Sequence, residues 1–336
     1  MSDIEVFLDD TPGETRGVIA RDGRYTRLII HRDTDRPCDR LGARLVGRVA
    51  QLAPGLRGAF VDLGAGEPFA FLPLPKAEHP AEGAKLEVEV VAEPRERKGP
   101  VVRRLGDAAG EPRLLAAGPD VKAILREAAP GVEIQTGVAA IRAGQDAEEE
   151  GMSQFARDPA TGLDLAVQRT RALIAVDIDY APAPGRDSRR GRDAVNREGL
   201  KQAARLLGLK AWGGLAAIDL VGVGLHGETI QNLARTAFDG TPGAVVGPLS
   251  RFGLLQVSLP WTRTPLDERA AMDIARPLEA LRRLHLALLS DTGRPRMVLA
   301  CPPEASAFLA PLVSRLGPRA VLRPDAAPGV FKVEEA

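Results

Sequence analysis

The sequence predicts a multidomain protein of the α+β and α/β classes that contains a small β-barrel, and three observations support this prediction. The chain has 336 residues, more than one ordinary domain of roughly 100 to 150 residues. Short strand patterns separated by turn residues crowd residues 39–105, whereas strands and helices alternate from residue 161 onward. Hydrophobic residues make up 44% of the chain, so each domain can bury a core.

The first elements predict a hairpin followed by the barrel. Residues 4–8 and 16–31 alternate between apolar and polar side chains, and the second stretch turns at Asp22-Gly23. Five short antiparallel strands separated by Gly- and Pro-rich turns would suit an OB-type barrel. The five candidates are residues 44–50, 58–63, 69–72, 85–92 and 101–104.

The rest of the chain predicts alternating helices and strands, typical of an α/β unit followed by a small α/β module. Residues 146–151 are acidic and predict a solvated stretch. The predicted helices are 120–128, 196–209, 228–238, 266–289 and 303–316. The predicted strands are 131–136, 215–224, 296–300 and 319–323, with two more within each of 163–178 and 245–257.

Composition excludes several classes of protein. The formal net charge is zero, with 45 basic and 45 acidic residues, so a polyanion would have to bind to local clusters. Cys38 and Cys301 lie far apart, which excludes a disulfide framework and a cysteine zinc site. No stretch approaches the roughly 20 apolar residues of a membrane span, and the start lacks an apolar signal core, so we expect a cytoplasmic protein without a membrane partner.

Two acidic motifs carry the strongest chemical signal. Asp177 lies in V-D-I-D and Asp219 in A-I-D-L, each within an otherwise apolar strand where a buried carboxylate is costly. Carboxylates at the ends of neighbouring strands can share a magnesium ion, which takes one or two protein carboxylates and keeps several waters. From spacing alone, the alternative that both acids cap loops at strand ends is equally open.

Aromatic and basic residues suggest contacts with a nucleic acid strand. Phe60 and Phe71 could stack bases while Lys98 and the neighbouring Arg97 hold the backbone, but a small barrel could also use the phenylalanines in its core. The arginine-rich residues 185–192 predict a loop that either clamps phosphates or is merely solvated. Its candidate RNA contacts are Arg189 and Arg190.

Several strings together resemble the ribonuclease E/G family. GRVAQLAPGLRGAFVDLGAGEPFAFLPL (47–74) and EVEVVAEPRERKGPVVR (87–103) resemble the RNA-binding barrel of that family. LAVQRTRALIAVDID (165–179), VNREGLKQAARLLGLKAWGGLAAIDL (195–220) and SRFGLLQVS (250–258) resemble its nuclease region. VLACPPEASAFLAP resembles its small C-terminal domain, so the resemblance covers most of the chain.

The resemblance also implies an order of domains. An RNase H-like subdomain would comprise residues 1–38 and 106–160, with an S1-like OB-fold RNA-binding domain inserted at 39–105. A DNase I-like catalytic subdomain would follow at 161–262, and a small C-terminal α/β domain at 263–336.

The resemblance further assigns residues of the nuclease region. Asp177 and Asp219 match the two aspartates that bind magnesium in the family. Asp179 stands where the family usually has an asparagine that orients the site, so it is a third candidate catalytic residue. Arg251 and Asn196 match recurrent residues of the nuclease subdomain, and we expect Arg251 to contact RNA.

In the barrel, Phe60, Phe71 and Lys98 match family positions that contact RNA bases and backbone, which favours the RNA interpretation over the core interpretation.

The chain departs from the family pattern at two places. Residues 105–130 are too short for the segment that senses a 5'-monophosphate in the family, so cleavage should depend little on the 5' end. Residues 260–271 lack the paired cysteines that bind zinc between subunits, so any homodimer would form without that link.

The resemblance implies a magnesium-dependent endoribonuclease that cleaves single-stranded RNA during RNA processing or decay, including maturation of ribosomal RNA. Its products would carry 5'-phosphate and 3'-hydroxyl ends. The alternative is a catalytically impaired RNA-binding or assembly protein on the same scaffold, which the acid at position 179 favours.

Overall fold

The computed structural model describes residues 3–76, 80–180, 189–222 and 226–335, with only the backbone at residue 189. The chain folds into two compact units. The first comprises Met1–Glu148 and Asp267–Ala336, and the second comprises Glu149–Leu266.

The elements of the described residues are numbered in chain order. The strands are β1 (Ile4–Asp9), β2 (Glu14–Arg21), β3 (Arg24–Arg32), β4 (Arg44–Ala53), β5 (Gly58–Asp62), β6 (Ala70–Pro73), β7 (Lys85–Ala92), β8 (Val101–Asp107), β9 (Arg113–Ala116), β10 (Ile134–Gln135), β11 (Phe155–Asp158), β12 (Leu163–Arg169), β13 (Ile174–Tyr180), β14 (Gly214–Asp219), β15 (Val245–Val246), β16 (Leu255–Leu259), β17 (Met297–Ala300), β18 (Ala320–Arg323) and β19 (Lys332–Glu335). The α-helices are α1 (Val121–Ala128), α2 (Val138–Met152), α3 (Arg189–Leu209), α4 (Gly227–Phe238), α5 (Leu266–Ala270), α6 (Ala275–Ser290) and α7 (Pro303–Ser314).

A four-stranded sheet with the order β10-β1-β2-β3 opens the first unit. Asp22 and Gly23 join β2 to β3 with φ angles of 50° and 71°, the left-handed conformation that a two-residue hairpin loop requires. Helix α1 begins after Asp120, whose side chain accepts a 2.7 Å hydrogen bond from the amide of Ala123. The helix packs on the sheet through Leu125. The pairing of β2 with β3 confirms the predicted hairpin.

Five strands of the first unit close into a barrel with the order β4-β5-β6-β8-β7, in which β7 pairs back to β4. Strands β6 and β8 run parallel, and the other neighbours run antiparallel. This connectivity is compatible with the predicted OB-fold. Val61, Leu86 and Val102 are among the inward-pointing residues of the core, and β9, which the sequence did not predict, pairs with β4.

The last part of the first unit is a three-stranded sheet with the order β18-β17-β19, packed with α6 and α7 around Leu281, Leu299 and Leu309. The predicted single helix at 266–289 is wrong, because α5 and α6 are separate helices. Arg269 of α5 forms a 2.8 Å ion pair with Asp35, a tertiary contact that a local helical pattern cannot show.

The second unit contains a six-stranded mixed sheet with the order β11-β12-β13-β14-β16-β15. Helices α3 and α4 cover one face of this sheet, where Leu165, Val176 and Ile218 point into the core. Side chains point to alternate faces along a strand. The intervening residues of β13, among them Ala175, point to the opposite face and are exposed.

One further prediction holds only in part, and another is wrong. The acidic residues 146–151 lie within α2, where Asp146 and Glu149 are exposed as expected, but Ala147 is buried and Glu148 forms a 2.8 Å ion pair with Arg16. Helix α3 begins at residue 189 rather than 196, so residues 189–192 are helical and not part of a loop.

Candidate functional site

The parallel pairing of β13 and β14 brings Asp177 and Asp219 together. The two residues are direct Cα partners in this register, on strands spaced about 4.8 Å apart. Each follows an inward-pointing residue, so both carboxylates project from the exposed face of the sheet. The sequence interpretation of costly buried acids is therefore wrong: strand alternation places the two carboxylates side by side and open to solvent.

Two further acids share this face. Asp179 is exposed two residues after Asp177, and Asp164 on β12 is the Cα partner of Asp179. Partial desolvation at the sheet surface raises the pKa of Asp177, and the charges of Asp179, Asp219 and Asp164 raise the pKa further. A cation bound here would relieve this repulsion. The sequence analysis missed Asp164, although its alternation with Leu163 and Leu165 was a usable signal.

Asn196 holds the backbone that follows Asp219. This residue of α3 is fully buried, and its Nδ2 donates a 2.9 Å hydrogen bond to the carbonyl of Val221. Its Oδ1 accepts a 2.9 Å hydrogen bond from the amide of Val221. Asp219 Oδ1 accepts a 3.0 Å hydrogen bond from the amide of Leu220. The structure thus gives Asn196 a positioning role that the sequence did not define.

Arg251 lies in the turn before β16, at the end of the sheet where Asp219 also lies. This placement follows from the register, because Leu255 at the start of β16 pairs with Ile218. The guanidinium of Arg251 lies over the ring of Phe252, with 5.3 Å from Cζ to the ring centroid. Both side chains are exposed, and Phe252 is 80% exposed.

The predicted phosphate-clamping segment 185–192 lies partly outside the described residues. Residues 185–188 and the side chain of Arg189 fall outside them. Arg190 is exposed in the first turn of α3. The structure therefore places one of these two arginines at the surface of a helix.

Phe60 and Phe71 form an aromatic pair on the outer face of the barrel. They are Cα partners on β5 and β6, and their ring centroids lie 5.8 Å apart with an interplanar angle of 62°. Their neighbours Ala59 and Leu72 fill the barrel core, whereas the two rings are half-buried. A Cβ on Gly58 would lie 2.3 Å from Cζ of Phe71, so the glycine provides space for this ring.

Lys98 lies on the same barrel, three residues before the register partner of Phe71. It closes a tight turn, in which its amide donates a 2.8 Å hydrogen bond to the carbonyl of Arg95. Glu96 and Arg97 between them have φ angles of 50° and 61°, and both are exposed. Nζ of Lys98 lies 2.7 Å from Oε2 of Glu96, an exposed ion pair that contributes little to stability.

Ribonuclease E from two organisms is similar in sequence to part of this chain. Ribonuclease E of Buchnera aphidicola is 33% identical over 102 residues, which cover 29% of this chain and 11% of that protein. Ribonuclease E of Escherichia coli is 29% identical over 133 residues, which cover 38% of this chain and 12% of that protein. No protein-family model matches the chain.

These matches support the relationship to the ribonuclease E/G family that the sequence strings indicate. The ribonuclease E/G resemblance singled out two groups of residues, and each group is assembled in the structure. Asp177, Asp179 and Asp219 share one sheet face in the second unit, whereas Phe60 and Phe71 pair on the barrel of the first unit. Within the described ranges, no helix is long and apolar enough to span a membrane.

Proposed function

We propose that this chain is a magnesium-dependent endoribonuclease that cleaves single-stranded RNA. The register pairing of Asp177 with Asp219 carries the proposal, because two exposed carboxylates side by side are a donor set that magnesium accepts. Magnesium takes one or two protein carboxylates and keeps water in its remaining positions, so Asp177 and Asp219 would be a sufficient donor set for it.

The residues of the chain would divide the work as follows. Asp177 and Asp219 would hold the ion, and Asn196 would fix the backbone after Asp219 so that the two carboxylates keep their spacing. Bound magnesium supplies charge neutralisation at a phosphate oxygen and lowers the pKa of a coordinated water. Asp179 adds negative charge and a hydrogen-bond acceptor beside the pair. As the family resemblance implies, the products would carry 5'-phosphate and 3'-hydroxyl ends.

The barrel would also bind single-stranded RNA. Phe60 and Phe71 form a half-buried aromatic pair on the outer face of the barrel, on which bases could stack, and Lys98 would exchange Glu96 for a phosphate. Arg251 would contact the strand at the end of the sheet near Asp219. These contacts are independent of base identity, which suits a nuclease acting on unpaired RNA.

The test compares Asp177→Asn and Asp219→Asn with Asp239→Asn, which alters an exposed acid directly after α4. Cleavage of a labelled single-stranded RNA is measured with magnesium and with a chelator, and RNA affinity is measured in parallel. The two site variants should lose roughly 100-fold or more of the cleavage rate, as removal of one key electrostatic group typically does, while RNA affinity persists. The Asp239 variant should match the unmodified protein.

Cleavage that continues in the chelator, or in both site variants, would overturn the metal assignment. RNA binding by the unmodified protein without cleavage in magnesium would overturn the nuclease and leave an RNA-binding protein.

A further inference from the structure

Phe155 lies on the edge strand of the sheet that carries the aspartate pair. It is the first residue of β11 and is 58% exposed, whereas its neighbour Ala156 packs against the core of the second unit. A single exposed aromatic residue says little about function by itself. The position of Phe155 within the sheet is more informative.

Phe155 belongs to a row of four residues across the exposed face. Phe155 pairs with Ala166, Ala166 pairs with Asp177, and Asp177 pairs with Asp219. Neighbouring strands are about 4.8 Å apart, so the Cα of Phe155 lies about 10 Å from that of Asp177. The residue between them contributes only a methyl group. The ring therefore flanks the carboxylate pair within reach of a nucleotide adjacent to a phosphate bound there.

Arg157 points to the same face, two residues further along β11. Its Nε lies 3.3 Å from Oδ1 of Asp164, which is also its Cα partner, and the Arg157 side chain is 76% exposed. An exposed ion pair of this kind contributes little to stability, so the guanidinium can turn to a phosphate at small cost. Strand β11 thus presents an aromatic ring and a cation side by side, the combination with which proteins bind single-stranded nucleic acids.

We propose that β11 is a nucleotide-binding edge, in which Phe155 stacks on one base of the RNA strand and Arg157 binds a phosphate of that strand. The proposal rests on the proposed function, which supplies RNA as the ligand. The edge would fix which nucleotide lies beside the scissile phosphate. Base stacking on Phe155 involves no net charge, and the guanidinium of Arg157 is positive. Both contacts would therefore help the RNA strand to bind despite the repulsion between its backbone and the acids of this face.

A double-mutant cycle, which combines a change in the protein with the loss of a base from the RNA, tests the stacking contact. A short single-stranded RNA with one abasic nucleotide is prepared for each position, and its affinity for the full chain is measured in a chelator, where cleavage does not occur. In the unmodified protein, loss of the stacked base should weaken binding by about 5-fold or more. In Phe155→Ala, that same abasic substitution should cost nothing further, because the partner ring is already gone.

Matched variants separate stacking from general apolar contact. Phe155→Trp should keep the base dependence, because it keeps an aromatic face. Leu215→Ala removes an exposed aliphatic side chain from the same sheet and should leave the pattern of the unmodified protein. If the abasic penalty persists unchanged at every position in Phe155→Ala, the proposal is overturned, because bases stacked on Phe60 and Phe71 would then account for all of it. Unchanged RNA affinities accompanied by an altered sedimentation coefficient would also overturn it, since Phe155 would then cover a contact with a second copy.

Arg157→Gln tests the phosphate contact. The variant should weaken binding to RNA of any sequence, and it should reduce the slope of log affinity against log salt concentration by about 0.7 in magnitude. Arg157→Lys should retain that slope. An unchanged slope in Arg157→Gln would overturn the phosphate contact. All of these measurements are made in a chelator, so they remain decisive even if the protein fails to cleave RNA in magnesium, a result that would overturn the proposed function alone.

Discussion

Asn196 binds both the amide and the carbonyl of Val221 through its side-chain amide, with two hydrogen bonds of 2.9 Å. Val221 lies two residues after Asp219, so this contact joins helix α3 to the backbone that follows one carboxylate of the candidate site. Asn196 is fully buried, so its removal would leave the amide and the carbonyl of Val221 without these two partners.

We expect Asn196→Ala to lower the unfolding free energy of the second unit by about 1–3 kcal/mol, because the amide and the carbonyl of Val221 lose their partners. Magnesium affinity should fall as well, since the backbone after Asp219 becomes less constrained. Both tryptophans of the chain, Trp212 and Trp261, lie in the second unit, so their fluorescence during urea unfolding reports on it.

Asn232→Ala is the matched control, because Asn232 is exposed on α4. It should change the unfolding free energy by less than about 0.5 kcal/mol. Equal unfolding midpoints for the two variants would contradict the role assigned to Asn196.

The barrel provides a second comparison, between two glycines. A Cβ on Gly58 would lie 2.3 Å from Cζ of Phe71 and 2.7 Å from the carbonyl oxygen of Leu72, so Gly58→Ala must displace the ring. We expect weaker binding of single-stranded RNA and a stability loss of about 1–3 kcal/mol from overpacking. Gly55→Ala meets no atom within 4 Å and should preserve both properties.

Fluorescence anisotropy of a labelled RNA and thermal unfolding followed by circular dichroism measure the two effects. If Gly58→Ala binds RNA as tightly as Gly55→Ala, the outer position of the Phe71 ring does not matter for RNA.

The sequence predicted those features that depend on the pattern of residues close together along the chain. The barrel strands follow from alternating side chains between turn residues, and the strands at 177 and 219 follow from their apolar surroundings. Strand β11 was missed because four residues, FARD, carry too little periodicity to predict a strand. Consequently the row from Phe155 to Asp219 could not be predicted, since it depends on the register of four strands.

Contacts between distant parts of the chain were also beyond the reach of local patterns. Arg282 of α6 is fully buried and binds Asp9 at 2.6 Å and Glu14 at 2.9 Å, although these residues lie near the opposite end of the sequence. A helical pattern would place an arginine at the surface. Only the folded first unit shows that two carboxylates meet it in the interior.

This buried cluster predicts unequal effects for two adjacent arginines. Arg282→Met leaves Asp9 and Glu14 buried without that cation and should cost about 3–5 kcal/mol of unfolding free energy. Arg283→Met removes a half-exposed arginine that lies 3.7 Å from Glu279, and it should cost less than about 1 kcal/mol. Urea unfolding followed by circular dichroism measures both values. Similar losses in the two variants would show that the buried cluster does not stabilise the first unit.

The ionisation of Glu14 determines how the stability of the first unit should change at acidic pH. Burial alone would raise the pKa of Glu14, but the charges of Arg16, Arg282 and Arg32 outweigh burial and lower the pKa from 4.5 to about 2. Because the pKa is lower in the folded state, the folded protein favours the ionised form. The resulting stabilisation, about 3 kcal/mol, is fully present above pH 4.5 and is lost as the pH falls toward 2.

The measurement compares the unfolding free energy of the unmodified protein with that of Glu14→Gln across this range. The variant should be less stable above pH 4.5, and the difference should shrink steadily as the pH falls from 4.5 toward 2, because the unmodified side chain also becomes neutral. Glu133→Gln, which alters an exposed acid of the same unit, should follow the unmodified protein throughout. A difference between the unmodified protein and Glu14→Gln that stays constant with pH would mean that the three arginines hold Glu14 by shape and hydrogen bonding rather than through its charge.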